Sequence, residues 1–197
     1  PVRGEYLDLL AQAPLPAPLA LAMDIGTGTG VISMLLAKRG VKKIIATDIQ
    51  PRAITCARDN ILRFGFEKQI EVVEADMFAE GTADLLVCNP PWIPARPTSA
   101  VERAVYDEGS QMLREFLKRA PAHLNSNGEA WLILSDLAER LNLREAGEVE
   151  KWITEAGLEV ISILETKPKH SKVFDLSDPL HAARSQEITK LWRLKKK

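Results

Sequence analysis

Apolar runs of strand length alternate with amphipathic helical stripes along almost the whole chain, and a glycine or proline stands at nearly every exchange. No other feature limits the fold as strongly. Residues 19–25 form a short apolar run closed by glycines, which reads as a buried strand. Residues 30–39 carry Val31, Ile32, Leu35 and Leu36 on one helical stripe that stops at Gly40. A second strand spans 43–48 and ends on Asp48, after which Pro51 opens a helix running to Gly65 from the first-turn position that proline favours. Strands follow at 70–74 and 83–88, then a long helix at 108–124. Asn127-Gly128 reads as a turn into a fifth strand at 130–135. A helix over 144–156 stops at Gly157, and two late strands, 158–165 and 187–194, flank a polar loop with prolines.

Strand and helix in alternation imply right-handed parallel βαβ units with helices on both faces of the sheet. The last two strands have no helix between them and should pair antiparallel at one edge. The expected fold is therefore α/β: a doubly wound, mostly parallel, seven-stranded sheet with an antiparallel edge strand. A chain of 197 residues, 46% hydrophobic and 27% charged, is globular in composition and fits one domain over 1–197, with 1–18 as a lead-in. The formal net charge of −1 gives no global field for nucleic acid. Cys56 and Cys88 have no CxxC spacing, and His123, His170 and His181 have no ligand spacing, so neither a disulfide scaffold nor a metal is expected. The apolar stretch at 15–23 is broken by Pro16 and Pro18, so no membrane span or leader is read, and a reducing, cytoplasmic setting is expected. Both cysteines read as core residues.

Open sheets of this kind bind ligands beyond the carboxyl ends of their strands. Asp24-Ile25-Gly26-Thr27-Gly28-Thr29-Gly30 follows the first strand and opens the first helix. Its glycines permit a sharp turn and a close backbone approach to a ligand. A dinucleotide fingerprint needs G-x-G-x-x-G; this loop is G-x-G-x-G, with Val31 where the third glycine would fall, which counts against a nicotinamide cofactor. Asp48 is placed to accept the two ribose hydroxyls of an adenosine, or else is a loop or capping aspartate. After the third strand, Asp76 is placed to accept an adenine amino group beside the Met77 backbone, or else is a turn residue.

Asn89-Pro90-Pro91-Trp92 directly follows the fourth strand. Two successive prolines lock φ and hold the Pro90 carbonyl in a set direction. With the Asn89 side-chain oxygen it offers two acceptors to a planar NH₂ group, and Trp92 offers a face for stacking. The alternative is a rigid polyproline turn with a packing tryptophan.

Taken together, the glycine loop, Asp48, Asp76 and Asn89-Pro90-Pro91-Trp92-Ile93-Pro94 resemble the class I, Rossmann-like S-adenosylmethionine methyltransferases. Within them the motif is similar to the amino-methylating branch, above all the release-factor glutamine N5-methyltransferases. The resemblance extends from residue 19 to about 135, through the helix at 53–60, Tyr106-Asp107-Glu108-Gly109-Ser110 and Asn127-Gly128. It implies S-adenosyl-L-methionine as cofactor. Asp24, Gly26, Thr27, Gly28 and Gly30 would meet its methionine part, Asp48 with Ile49 the ribose, and Asp76 with Met77 the adenine, with Asn89 bordering the donor as well. Asn89, Pro90, Pro91 and Trp92 would grip the substrate nitrogen. Arg3 and Glu5 loosely resemble a segment that borders the cofactor. The sequence departs from the branch in carrying Trp92 where tyrosine is usual, in a poorly matching stretch at 167–184, and in having no separate recruiting domain.

The implied partner is a protein substrate, such as a translation release factor, with a protein glutamine side chain as the methyl acceptor. The rival acceptor is an exocyclic base amine of RNA or DNA, for which the basic stretch Lys167-Pro168-Lys169-His170-Ser171-Lys172 would serve as a steering surface. A nicotinamide-dependent oxidoreductase and a non-catalytic subunit of the same fold are the remaining alternatives.

Overall fold

The computed structural model describes residues 4–96, 106–167 and 185–197. One seven-stranded sheet runs through them. Its strands are β1 (Ala22–Ile25), β2 (Ile44–Asp48), β3 (Ile70–Glu74), β4 (Ala83–Cys88), β5 (Leu124–Ser135), β6 (Leu158–Thr166) and β7 (Thr189–Lys196). They lie in the order β3-β2-β1-β4-β5-β7-β6. The first five are mutually parallel, and β7 pairs antiparallel with both β5 and β6. The expected doubly wound sheet with a late antiparallel pairing is present. Its antiparallel member, β7, lies one place in from the edge, and β6 forms the edge itself.

Six α-helices cover the sheet among the described residues: α1 (Glu5–Gln12), α2 (Val31–Lys38), α3 (Pro51–Arg63), α4 (Gln111–His123), α5 (Leu137–Arg140) and α6 (Glu148–Glu155). Successive residues of a strand face opposite sides. In β4, Leu85 and Val87 therefore join the core under α1, α2 and α3, while Leu86 and Cys88 join the one under α4 and α6. β1 is buried at every position, as expected of a central parallel strand covered on both faces.

Several boundaries differ from the sequence reading. Helix α1 falls in the expected lead-in, and its Tyr6, Leu9, Leu10 and the following Ala13 are buried at helical spacing. The Arg39 guanidinium at the end of α2 holds it in place by donating to the carbonyls of Leu10 and Ala13. The helix expected at 108–124 breaks at its start: Glu108–Ser110 form a 3₁₀ turn with Gly109 at φ 63° and Ser110 at φ 54°, and α4 begins at Gln111. Asn127-Gly128 is not a turn, because β5 starts at Leu124 and runs through it. Pairing slips from Ala83–Leu124 to Leu85–Glu129, and a side chain at Gly128 would come within 3.0 Å of the Ala83 carbonyl oxygen. The glycine thus admits a close crossing at a bulge. The helix expected at 144–156 is confined to α6, and the short α5 precedes it. No helix among the described residues is long and apolar enough to cross a membrane.

Candidate active site

Four strand ends converge because the sheet sets them level. Ile25 of β1 pairs with Thr47 of β2 and with Cys88 of β4, so Gly26, Asp48 and Asn89 leave the sheet side by side. Asp48 of β2 is in turn level with Glu74 of β3, which puts Ala75-Asp76-Met77 next along the same rim. The chain order reverses between β2 and β4 on either side of β1, the topological switch at which such sheets open a crevice.

The glycine loop is braced from below. Asp24 is 1% exposed, and its Oδ2 accepts from the Thr27 hydroxyl at 2.7 Å, the Ser33 hydroxyl at 2.6 Å and the Ser33 N–H at 3.1 Å. Its Oδ1 is buried with no hydrogen-bond partner. Burial raises the Asp24 carboxyl above its ordinary value; the three bonds pull the other way, and nearby Asp48 adds to the rise. Tyr6 of α1 belongs to the same neighbourhood, since burial first and the Asp24 charge second raise its phenol. Thr27 turns its hydroxyl inward to Asp24, and its N–H and carbonyl are engaged with the Thr47 carbonyl at 2.8 Å and the Gly30 N–H at 3.0 Å, so Thr27 braces the loop.

Gly26, Gly28 and Gly30 all take positive φ, at 69°, 57° and 80°. A side chain at Gly28 would meet nothing within 4 Å, whereas one at Gly26 would collide with the Met112 methyl of α4 at 2.5 Å. Asp48 takes the role of a loop aspartate. Its Oδ2 accepts from the Gly28 N–H at 3.0 Å and its Oδ1 from the Gln50 N–H at 2.9 Å, which locks the loop and leads into α3. Each carboxylate oxygen retains a further lone-pair direction. Ile49 beside it is 55% exposed, a large apolar side chain bare on the rim. Asp76 is exposed, and Met77 holds φ 72°, an uncommon conformation for a residue with a side chain, with its carbonyl accepting from the Thr47 hydroxyl. Such local strain tends to gather at functional rims.

Beyond β4, Pro90 is buried, and Asn89 and Trp92 are half-buried. Trp92 packs against both cores, and its indole Nε1–H donates to Asn89 Oδ1 at 2.9 Å. The acceptor oxygen assigned to a substrate is thus already shared with the tryptophan. The loop is backed by Tyr106 and Asp107: Ile93 bridges Tyr106, and the Asp107 N–H donates to the Ile93 carbonyl at 2.9 Å. The Asp107 carboxylate then caps α4 by accepting from the N–H groups of Met112 at 3.0 Å and Leu113 at 3.3 Å.

Arg144 is the residue that sequence reading overlooked. It is 6% exposed, and its Nη2 donates to the Trp92 carbonyl at 3.2 Å and the Ser110 hydroxyl at 3.3 Å, while Nη1 meets Glu139 at 3.3 Å. A lone arginine 52 residues beyond the motif has no periodic or spacing signal that would flag it.

Some earlier candidates fall elsewhere. His123 stacks on Phe78 at 4.4 Å and lies 2.9 Å from the Gly81 carbonyl. Among the described residues no cluster suits a metal. Cys88 is buried, and burial pushes its thiol well up; Cys56 is only half-buried, so it is not a core residue in full. Glu5 is buried in α1. Arg3, His170, His181 and the stretch from Pro168 to Lys172 lie outside the described residues.

Strand order and rim define a class I, Rossmann-like methyltransferase fold, and solved structures agree. A ribosomal protein L11 methylase from Lactobacillus delbrueckii subsp. bulgaricus superposes with a TM-score of 0.67 at 18% identity, over 99% of this chain and 79% of that one. A methyltransferase from Pyrococcus furiosus also superposes at 0.67, at 20% identity over 100% of this chain and 84% of that one. The chain belongs to the methyltransferase small domain family, whose model matches residues 8–162. Curated relatives include a putative protein N5-glutamine methyltransferase from Methanocaldococcus jannaschii, 31% identical over 55% of this chain and 58% of its own length. A release factor glutamine methyltransferase from Cereibacter sphaeroides is 33% identical over 66% of this chain and 49% of its own length. The chain thus spans about half the length of these relatives.

Proposed function

We propose that this chain is an S-adenosylmethionine-dependent methyltransferase that methylates a planar amide nitrogen, with a protein glutamine side chain as its acceptor. The observation that carries the reading is the level register of β1 and β4. It sets a glycine loop with an unsatisfied buried carboxylate beside the Asn89-Pro90 acceptor pair.

The rim suits this donor chemically. The Asp24 carboxyl beneath the loop, with its buried and unpaired Oδ1, supplies a counter-charge for an ammonium group. Asp48 has lone pairs for two ribose hydroxyls, Ile49 and Met77 flank a flat base, and Asp76 stands at its edge. The donor, when bound, supplies an electrophilic methyl group on a sulfonium. The chain's own contribution is orientation and electrostatics. Asn89 Oδ1 and the Pro90 carbonyl each accept one N–H of the acceptor amide. Two in-plane acceptors fix that plane and turn the nitrogen toward the donor side. Trp92 closes one flank and excludes water. Methyl transfer leaves a positive charge on the nitrogen, and that acidic cation gives up one N–H proton to solvent water, so no strong base is needed. The glutamine assignment draws on the names of the two relatives above and on the resemblance of Asn89-Pro90-Pro91-Trp92 to the amino-methylating branch.

The test is incorporation of labelled methyl from S-adenosylmethionine into cell extract. Prior protease treatment is expected to abolish labelling, and nuclease treatment to leave it. Nuclease-sensitive labelling would overturn the protein acceptor in favour of a base amine. Melting with S-adenosylmethionine is expected to raise Tm, since a ligand at about 100 times its Kd stabilises by roughly 2.7 kcal/mol. A rise with NAD instead would overturn the donor.

A further inference from the structure

An asparagine amide carries an oxygen at one end and two N–H donors at the other, and a half-turn of its last torsion exchanges them with almost no change of shape. Only the oxygen end can receive a substrate N–H. Whatever fixes that half-turn therefore decides whether the site grips or repels its acceptor. The neighbour here is the Trp92 indole, 2.9 Å from Asn89 Oδ1. An indole nitrogen donates and never accepts, so it admits the oxygen and excludes the NH₂ end. A tyrosine hydroxyl does both and would enforce neither.

The indole is held in turn. The Trp92 backbone carbonyl receives the Arg144 guanidinium at 3.2 Å, and the same Nη2 reaches Ser110 at 3.3 Å, just ahead of α4. This buried arginine is poorly satisfied as a stabilising ion pair. Its contact with Glu139 is 3.3 Å, and Arg144 Nε and Glu139 Oε2 are both buried without hydrogen-bond partners. A buried charge so incompletely paired contributes little net stability. Holding a backbone carbonyl in place accounts for it better.

We propose that Trp92 and Arg144 are positioning residues that act through Asn89: the indole N–H selects the orientation of the amide, and the guanidinium fixes the backbone that carries the indole. The role assigned to Trp92 thus shifts from a stacking face to a donor. The inference rests on the amide-gripping role of Asn89 given above, and its test separates the two.

The chain has four tryptophans, so ¹⁵N-indole spectra contain four side-chain resonances, and Trp92→Phe identifies one by its loss. Without any substrate, the Trp92 resonance is expected to exchange slowly with solvent. It is expected to shift and exchange faster in Asn89→Ala and in Arg144→Lys, which keeps the charge but loses the fork. An unchanged resonance in Asn89→Ala overturns the proposal whatever the enzyme methylates. In the methyl-incorporation assay, Trp92→Phe retains the aromatic face. It is expected to lose about tenfold in kcat, the scale of one well-placed hydrogen bond, with KM and S-adenosylmethionine affinity nearly unchanged. The double variant Trp92→Phe/Asn89→Ala is expected to be no slower than Asn89→Ala alone. Multiplying losses, or a Trp92→Phe defect confined to KM, would restore the stacking role and sink the positioning one. Nuclease-sensitive labelling of wild type would refute the glutamine acceptor, while the resonance still decides the anchor.

Discussion

Asp24 concentrates an electrostatic cost in one side chain. Its carboxyl is fully buried, three donors share a single oxygen, and burial still raises it above the ordinary value of about 3.9. A carboxyl raised in the folded state costs nothing below the unfolded value, where both states are protonated. The cost grows as pH rises from that value through the raised one, because the unfolded chain ionises first. Asp24→Asn preserves shape and removes the charge. It is expected to melt above wild type at pH 7, by roughly 2–4 °C for each kcal/mol relieved, with the gap closing as pH falls toward 4. The same variant is expected to bind S-adenosylmethionine more weakly, because an ammonium group loses its counter-charge. A lower melting point at pH 7 together with an unaltered ligand shift would remove Asp24 from the donor site.

At the scale of elements, the loop from Asn89 to Ile93 is tied to the cap of a helix that it does not belong to. Ser110, at the N-cap of α4, makes no capping bond of its own, so the Asp107 carboxylate supplies it from further upstream while its N–H holds Ile93. Asp107→Ala is expected to cost about 1 kcal/mol, measured by urea denaturation, and to slow methyl transfer as well. Unchanged turnover at reduced stability would uncouple cap from loop. Much of this was legible beforehand. The strands at 70–74 and 83–88 match β3 and β4 end to end, because apolar runs bounded by turn residues leave little choice. The positions of Asp24, Asp48, Asp76 and Asn89 on one rim followed from parallel winding alone. Helix α1 was missed although Tyr6, Leu9 and Leu10 have helical spacing, since the prolines after it suggested an irregular lead-in. Asn127-Gly128 misled because the same dipeptide that makes a hairpin also allows a tight crossing. Contacts such as Arg144 with Trp92, or Met112 with Gly26, come from three-dimensional packing and leave no local trace.

Across the whole molecule, the far half of the sheet hinges on β7. Arg193 of β7 meets Glu129 of β5 through Nη2 and Nε, at 2.7 and 2.9 Å, and Trp131 donates to the same carboxylate at 2.7 Å. The two charged side chains are only 13% and 11% exposed. Removing one partner of such a pair strands the other, so Arg193→Met is expected to lose about 3–5 kcal/mol in chemical denaturation. A loss below about 1 kcal/mol would mean that solvent already screens the pair. β6 precedes β7 in the chain yet lies outside it, touching the rest of the sheet only through that later strand. A polypeptide emerging in order therefore presents β5 with an open border and leaves Val160, Ile161 and Ile163 of β6 without a neighbouring strand until residue 189 arrives. Through that interval the β5 border stands open to any other nascent copy, a hazard of synthesis that ends when β7 pairs with β5.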